Sequence, residues 1–203
     1  TITNSYQCTA NSATFVVYNQ CPTGLTVCTA PYIIDGTATN TACQEITGLI
    51  TSMPGSPVNY GWVANGLPAS CIISSGSVFL AQNVPPGKYS LTLNATYNVG
   101  GTNCSATKKD ITVIVPYHAD LKYTIQCGSD NTYNVTLLDY STYYAELPSG
   151  TIHYSFTTDG GANWYAGTPN ASGIYQYAIP LPTGTHVLGI KTTAVGFAEC
   201  TKY

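Results

Sequence analysis

Short runs rich in Val, Ile, Tyr and Thr recur at close spacing between Gly, Pro and Asn punctuation, and this pattern constrains the fold more than any other feature of the chain. The runs fall at 14–18, 77–81, 89–97, 111–115, 133–138, 174–179 and 186–192. Apolar and polar residues alternate within them, as side chains do on a half-buried strand. No segment of useful length repeats apolar residues at i, i+3, i+4 and i+7, so helices have no sequence basis. Many short strands between turn residues predict an all-β sandwich or barrel.

An internal repeat narrows this further. "VNYGWVANG" (58–66) matches "IHYSFTTDG" (152–160), and each carries an aromatic pair in one phase, Tyr60/Trp62 and Tyr154/Phe156, before an Asn-Gly or Asp-Gly hairpin signal. "NVPPGKYSLTLNATYNVGGTNCS" (83–105) matches "PLPTGTHVLGIKTTAVGFAECT" (180–201). "SYQC" ending at Cys8 aligns with "TIQC" ending at Cys127 only if the first repeat carries an insert before Tyr60, holding Cys21, Cys28 and Cys43. The expectation is two tandem immunoglobulin-like β-sandwich domains, 1–116 with the cysteine-rich insert and 117–203, divided at Pro116, which cannot donate to a ladder. At 203 residues the chain suits two cores of ordinary size.

Eight cysteines without a C-x-x-C pair, beside three histidines, predict disulfides in an oxidising compartment over a zinc site. Cys127 and Cys200 flank the second repeat, which predicts a bridge between them and, by symmetry, one between Cys8 and Cys104. The remaining four allow three connectivities, of which Cys21–Cys28 with Cys43–Cys71 is favoured.

Composition excludes several functions. Charged residues are 7% of the chain, arginine is absent, and six lysines with a net charge of −3 cannot build a phosphate-binding stripe, so nucleic acid is not an expected partner. No stretch approaches 18 consecutive apolar residues, so no membrane insertion is expected, and Thr1 opens no signal pattern, as in a mature or excised segment. The G-x-S-x-G, H-E-x-x-H, P-loop and EF-hand patterns are absent, and His118, His153 and His186 show no nucleophile–base arrangement, so no enzyme is expected.

The stretch "PPGKYSLTLNATYNVGGTNCSATKKDITVIV" (85–115) resembles the last strands of the PKD-like and related Ig-like repeats of giant, type IX-secreted (SprB-like) surface adhesins of gliding Bacteroidetes. That resemblance implies a spacer or contact module of an extracellular, cell-surface filament, with no catalytic residues to transfer. The first repeat ends with a full strand after Cys104, whereas the second stops at "CTKY", and "TIT" at 1–3 is similar to the missing "ITV". Neighbouring repeats or identical subunits, joined end to end covalently or by strand donation, are the expected partners.

Two site expectations remain. Trp164, Tyr165, Tyr143 and Tyr144 are candidates for stacking on sugar rings, which would make the chain a carbohydrate-binding module for a surface polysaccharide, with core and hairpin packing as the competing reading. Asp35-Gly36 and Asp159-Gly160-Gly161 are candidates for calcium, with simple turns as the competing reading and no other cofactor expected.

Overall fold

The alternation becomes antiparallel strands in the computed structural model, which describes residues 2–3, 9–10, 28, 33–147 and 151–203. A two-residue pair, β1 (Ile2–Thr3) with β2 (Thr9–Ala10), stands at the start. Seven strands follow: β3 (Asp35–Ala42), β4 (Glu45–Ser52), β5 (Asn59–Asn65), β6 (Ile72–Ser75), β7 (Val78–Ala81), β8 (Gly87–Val99) and β9 (Thr102–Val115). They form a four-stranded sheet in the order β3-β4-β7-β6 and a three-stranded sheet in the order β5-β8-β9. Ile46, Phe79 and Ala81 of the first sheet and Trp62, Leu91, Leu93, Ile111 and Val113 of the second belong to one apolar cluster, so the sheets share a core.

β8 shows how sequence becomes strand. Tyr89, Leu91, Leu93, Ala95 and Tyr97 are buried, while the residues between them face outward. On the outer face Thr107 Oγ1 donates to Asn94 Oδ1 across the strands (3.0 Å), so hydroxyls and amides occupy surface that charges fill elsewhere. Gly100 and Gly101, with φ of 57° and 88°, make the two-residue turn into β9, a conformation suited to Gly-Gly. Trp62 fits because two facing strands carry no side chain at the contact. A Cβ on Gly36 would lie 2.6 Å from its Cη2; one on Gly48 would clear the ring at 3.5 Å but lie 3.0 Å from Phe79 Cβ.

The second half repeats the plan with β10 (Tyr117–His118), β11 (Leu121–Cys127), β12 (Thr132–Asp139), β13 (Thr142–Tyr143), β14 (Ile152–Thr157), β15 (Tyr165–Ala166), β16 (Thr168–Pro169), β17 (Tyr175–Pro182), β18 (Gly189–Ala194) and β19 (Cys200–Lys202). The sheets run β11-β12-β17-β16 and β15-β14-β18-β19, and β10 pairs with β13. Val135, Leu137 and Leu181 from one sheet meet Tyr154, Phe156 and Ile190 from the other in a second cluster. The first cluster ends at Val115 and the second begins at Tyr117. The protein is thus all-β, its only described helical turn being the three-residue 3-10 segment Ala69–Cys71.

The strand order corrects two sequence expectations. β11, which ends at Cys127, is the outer strand of its sheet, and its counterpart is β3, not the segment around Cys8. The supposed insert therefore contains the hairpin β3–β4, with Cys43 at its tip; a shared Gln-Cys pair was too short a landmark to outweigh the need for a first hairpin in each sheet. Asn65-Gly66 also does not close a hairpin, because β5 pairs with β8 and the chain crosses to the other sheet as β6. Asp159-Gly160 does lie within a hairpin, between β14 and β15.

Candidate functional site

The junction between the clusters is cross-linked and hydrogen-bonded from both sides, and its chemistry is that of a clamp. The β3–β4 tip is a tight turn whose Gln44 takes a left-handed φ of 55°. That turn carries Cys43 onto the second core, where it bonds to Cys200 at a Cα–Cα distance of 4.7 Å. Gln44 reaches both ways. Its backbone accepts from Val84 N (3.0 Å) and its Nε2 donates to Val84 O (3.2 Å), while His118 Nδ1 donates to its Oε1 (2.6 Å). Because the Gln44 amide nitrogen is spent on Val84, the histidine proton sits on Nδ1.

Tyr117 forms the other side of the joint. It is 1% exposed, its hydroxyl donates to Ala198 O (2.8 Å), and its carbonyl oxygen lies 3.6 Å from Cys200 Sγ. Burial pushes the Tyr117 hydroxyl above its ordinary pKa, with a smaller contribution from Glu199 in the same direction. Tyr144 N donates to Pro116 O (2.9 Å), tying the connecting residue to the second half.

A second bridge joins Cys28 to Cys104 at the start of β9. The predicted pairings Cys127–Cys200, Cys8–Cys104 and Cys43–Cys71 are therefore corrected. Cys127 ends β11 opposite Tyr133, far along its own sheet, whereas Cys200 opens β19 in the other sheet, where the Cys43 tip meets it. The symmetry argument assumed that each bridge closes within one repeat, and the longer one crosses between them. Cys21–Cys28 falls with the Cys28–Cys104 bond. Cys8 and Cys21 themselves lie outside the described residues. Cys71 is a buried thiol donating to Asn83 O (3.4 Å), and Cys127 is an exposed one. The turn position of Cys43, between the alternating runs of β3 and β4, was the available signal for the clamp; nothing in the sequence indicates which surface the tip meets.

The stacking candidates are gathered in the second half, but their rings are already engaged. Tyr165 lies flat on Tyr177 (centroids 4.9 Å, 6°), and Trp164 meets Tyr203 on one side and Lys191 Nζ, 4.7 Å from its ring centroid, on another. Tyr143 packs edge-on to Tyr154, which in turn meets Tyr175, and it donates to Asp139 Oδ2 (3.1 Å). Tyr144 donates to Glu146. A shallow depression of about 380 Å³ in the first half, bordered by Asn59, Tyr60, Ser75, Asn94 and Thr96, carries amides and one exposed ring that sequence reading did not single out.

The calcium candidates are explained by local turns. Asp159 accepts from Thr157 Oγ1 (2.7 Å), Asn163 N (3.0 Å) and Asn163 Nδ2 (2.7 Å), so both its oxygens are used within the hairpin. The Asn163 backbone, then Thr157 and the Asn163 side chain, hold its carboxyl well below the usual range. Asp35 accepts from Gly36 N and pairs with Lys108 (3.3 Å), and these lower its carboxyl in that order. Among the described residues no three His, Cys, Asp or Glu side chains form a cluster fit for a metal. His153 is exposed, and His186 bonds to Pro182 O (3.0 Å) within its own turn.

Two disulfides indicate an oxidising compartment. No helix among the described residues is long and apolar enough to cross a membrane, which says nothing of strands. Comparison of the chain with protein-family models gives no match, and comparison with curated proteins gives none either.

Proposed function

We propose that the chain is a structural and adhesive segment of an extracellular, cell-surface filament or stalk, built of two tandem immunoglobulin-like sandwiches at 1–116 and 117–203. The observation that carries this reading is the junction, where a half-buried disulfide and the Gln44–His118 bond fix one sandwich to the next, as a spacer that transmits position requires. Strand order supports the sandwich identity. Immunoglobulin-type domains divide strands A to G into sheets A-B-E-D and C-F-G. Lettered from β3, the first half reads A-B-E-D and C-F-G; lettered from β11 with β15 as an added C′, the second reads A-B-E-D and C′-C-F-G. The resemblance of 85–115 to PKD-like adhesin repeats points the same way, and gliding motility is the corresponding cellular setting. The role is non-catalytic. Antibodies against the chain should label intact, unpermeabilised source cells and reduce their attachment to surfaces; labelling only after permeabilisation would overturn the proposal.

Strand donation between copies is a second reading, favoured by β11. It is an edge strand on which Tyr123 and Ile125 are more than half exposed, and such an edge is a template for an incoming strand. Concentration-dependent fibres that vanish on deletion of residues 1–3 would support it, and a monomer at all concentrations would remove it. For the carbohydrate reading, Trp164 and Tyr165 are each already in contact with another ring of the chain.

A further inference from the structure

We infer that the Cys43–Cys200 bridge is a tension shunt, so that a pull along the polypeptide bypasses the second half from Tyr117 to Glu199 and everything in the first half after Cys43, and the chain behaves as a nearly inextensible link. The inference deepens the stalk reading and rests on it for its biological setting, but not for its physics. Force entering before Cys28 and leaving after Cys200 follows the shortest covalent route once slack is removed. That route runs along the backbone to Cys43, across the disulfide to Cys200, and on to Tyr203, leaving 44–199 in an unloaded loop. The bridge spans 157 residues, and the second bridge, Cys28–Cys104, spans 76 and offers no shorter way. Bonds formed by other cysteines could shorten the route but never lengthen it.

The placement of the bridge suits this role. Cys200 is 1% exposed and sits under the Tyr117 carbonyl, so a dissolved reductant has little access to it while the second half is folded. Among the described residues, the strand of the two sheets that lies on the route before the bridge is β3. It is held to β4 from Asp35 to Ala42, and the Cys28–Cys104 bond anchors the preceding segment to β9. The load therefore crosses the first half as shear on a paired strand, while 44–199, which holds the second core up to Ala194, carries none of it.

Single-molecule pulling on the full chain, through handles fused at both ends, tests this directly. At about 3.5 Å per extended residue, the oxidised chain should stop at about 160 Å, whereas the chain reduced with a phosphine should reach about 700 Å. The Cys43→Ser, Cys200→Ser double variant, left unreduced, should stop at about 440 Å, because the Cys28–Cys104 bridge still hides its own loop. These limits are set by connectivity, so they are readable even from a variant that fails to fold. An oxidised chain that extends to about 440 or 700 Å without reductant would overturn the shunt. A limit near 160 Å in a chain that labels only permeabilised cells would leave the shunt standing and remove the stalk reading.

Discussion

The two halves share a strand order and differ in how the last strand closes the sandwich. In the first half β9 is 14 residues long and pairs with β8 from Gly87–Val115 to Val99–Thr102, burying Ile111, Val113 and Val115. In the second half β19 has 3 residues, opposite Ile190, Lys191 and Thr192 of β18. The effect appears on the facing outer strands. β3 meets its core with Gly36 and Ala38, small residues beneath Trp62, whereas β11 points Tyr123 and Ile125 to the side of its sheet on which Leu137 and Val135 are buried, and both stay open. A strand's apolar phase thus sets which way it faces, and burial depends on what the opposite sheet places over it.

The largest expected break in this comparison is at the junction. Cys43→Ser with Cys200→Ser should cost about 2–5 kcal/mol and split a single calorimetric transition into two, one for each half. Further loss of Cys28–Cys104 in that variant should lower the first-half transition alone by a similar amount. Next come the two central aromatics. Trp62→Ala and Phe156→Ala should each cost about 3–5 kcal/mol, felt by chemical denaturation in the half that carries the residue. A matched pair sharpens the contrast between edges: Ile111→Ala in β9 should cost about 2–5 kcal/mol, and Ile125→Ala in β11 at most about 0.5 kcal/mol. Equal costs for the two isoleucines would mean that β11 is covered in solution.

Alkaline titration gives the smallest and most graded difference. Burial raises the hydroxyl pKa of Tyr89 in the first half and of Tyr117, Tyr143 and Tyr154 in the second. A hydroxyl that holds its proton more tightly when folded contributes stability that is complete below about pH 10, and that stability is lost as pH rises above it. The second half should therefore account for most of the stability lost as pH climbs past that point. Tyr154→Phe should flatten its pH dependence, as followed by tyrosinate absorbance alongside melting.

Strand content was readable because alternation is a local property: Tyr89 to Tyr97 announces its own buried face, and Tyr154 and Phe156 share a phase that the core uses. The landmarks in β5, β8 and β9 paired with β14, β18 and β19 because these strands carry dense, specific sequence. The first hairpin was missed because β3 reads Asp-Gly-Thr-Ala-Thr-Asn-Thr-Ala, small and polar residues whose value lies in the room they leave for Trp62. The disulfides were misassigned for a related reason. Pairing depends on which tips meet across a junction, and the contacts of Gln44 with Val84 and His118 have no local signature. The stacking candidates stayed open in the sequence because it shows the number of tyrosines and not that they stack on one another.

Peptide mapping of the unreduced protein tests the cross-linked junction most directly. The structure predicts one linked peptide pair containing Cys43 and Cys200 and another containing Cys28 and Cys104, each separating on reduction. Recovery of Cys127 linked to Cys200 would mean that the bridge closes within the second half, and would contradict both the clamp and the tension shunt; Cys8 linked to Cys104 would overturn the second bridge alone.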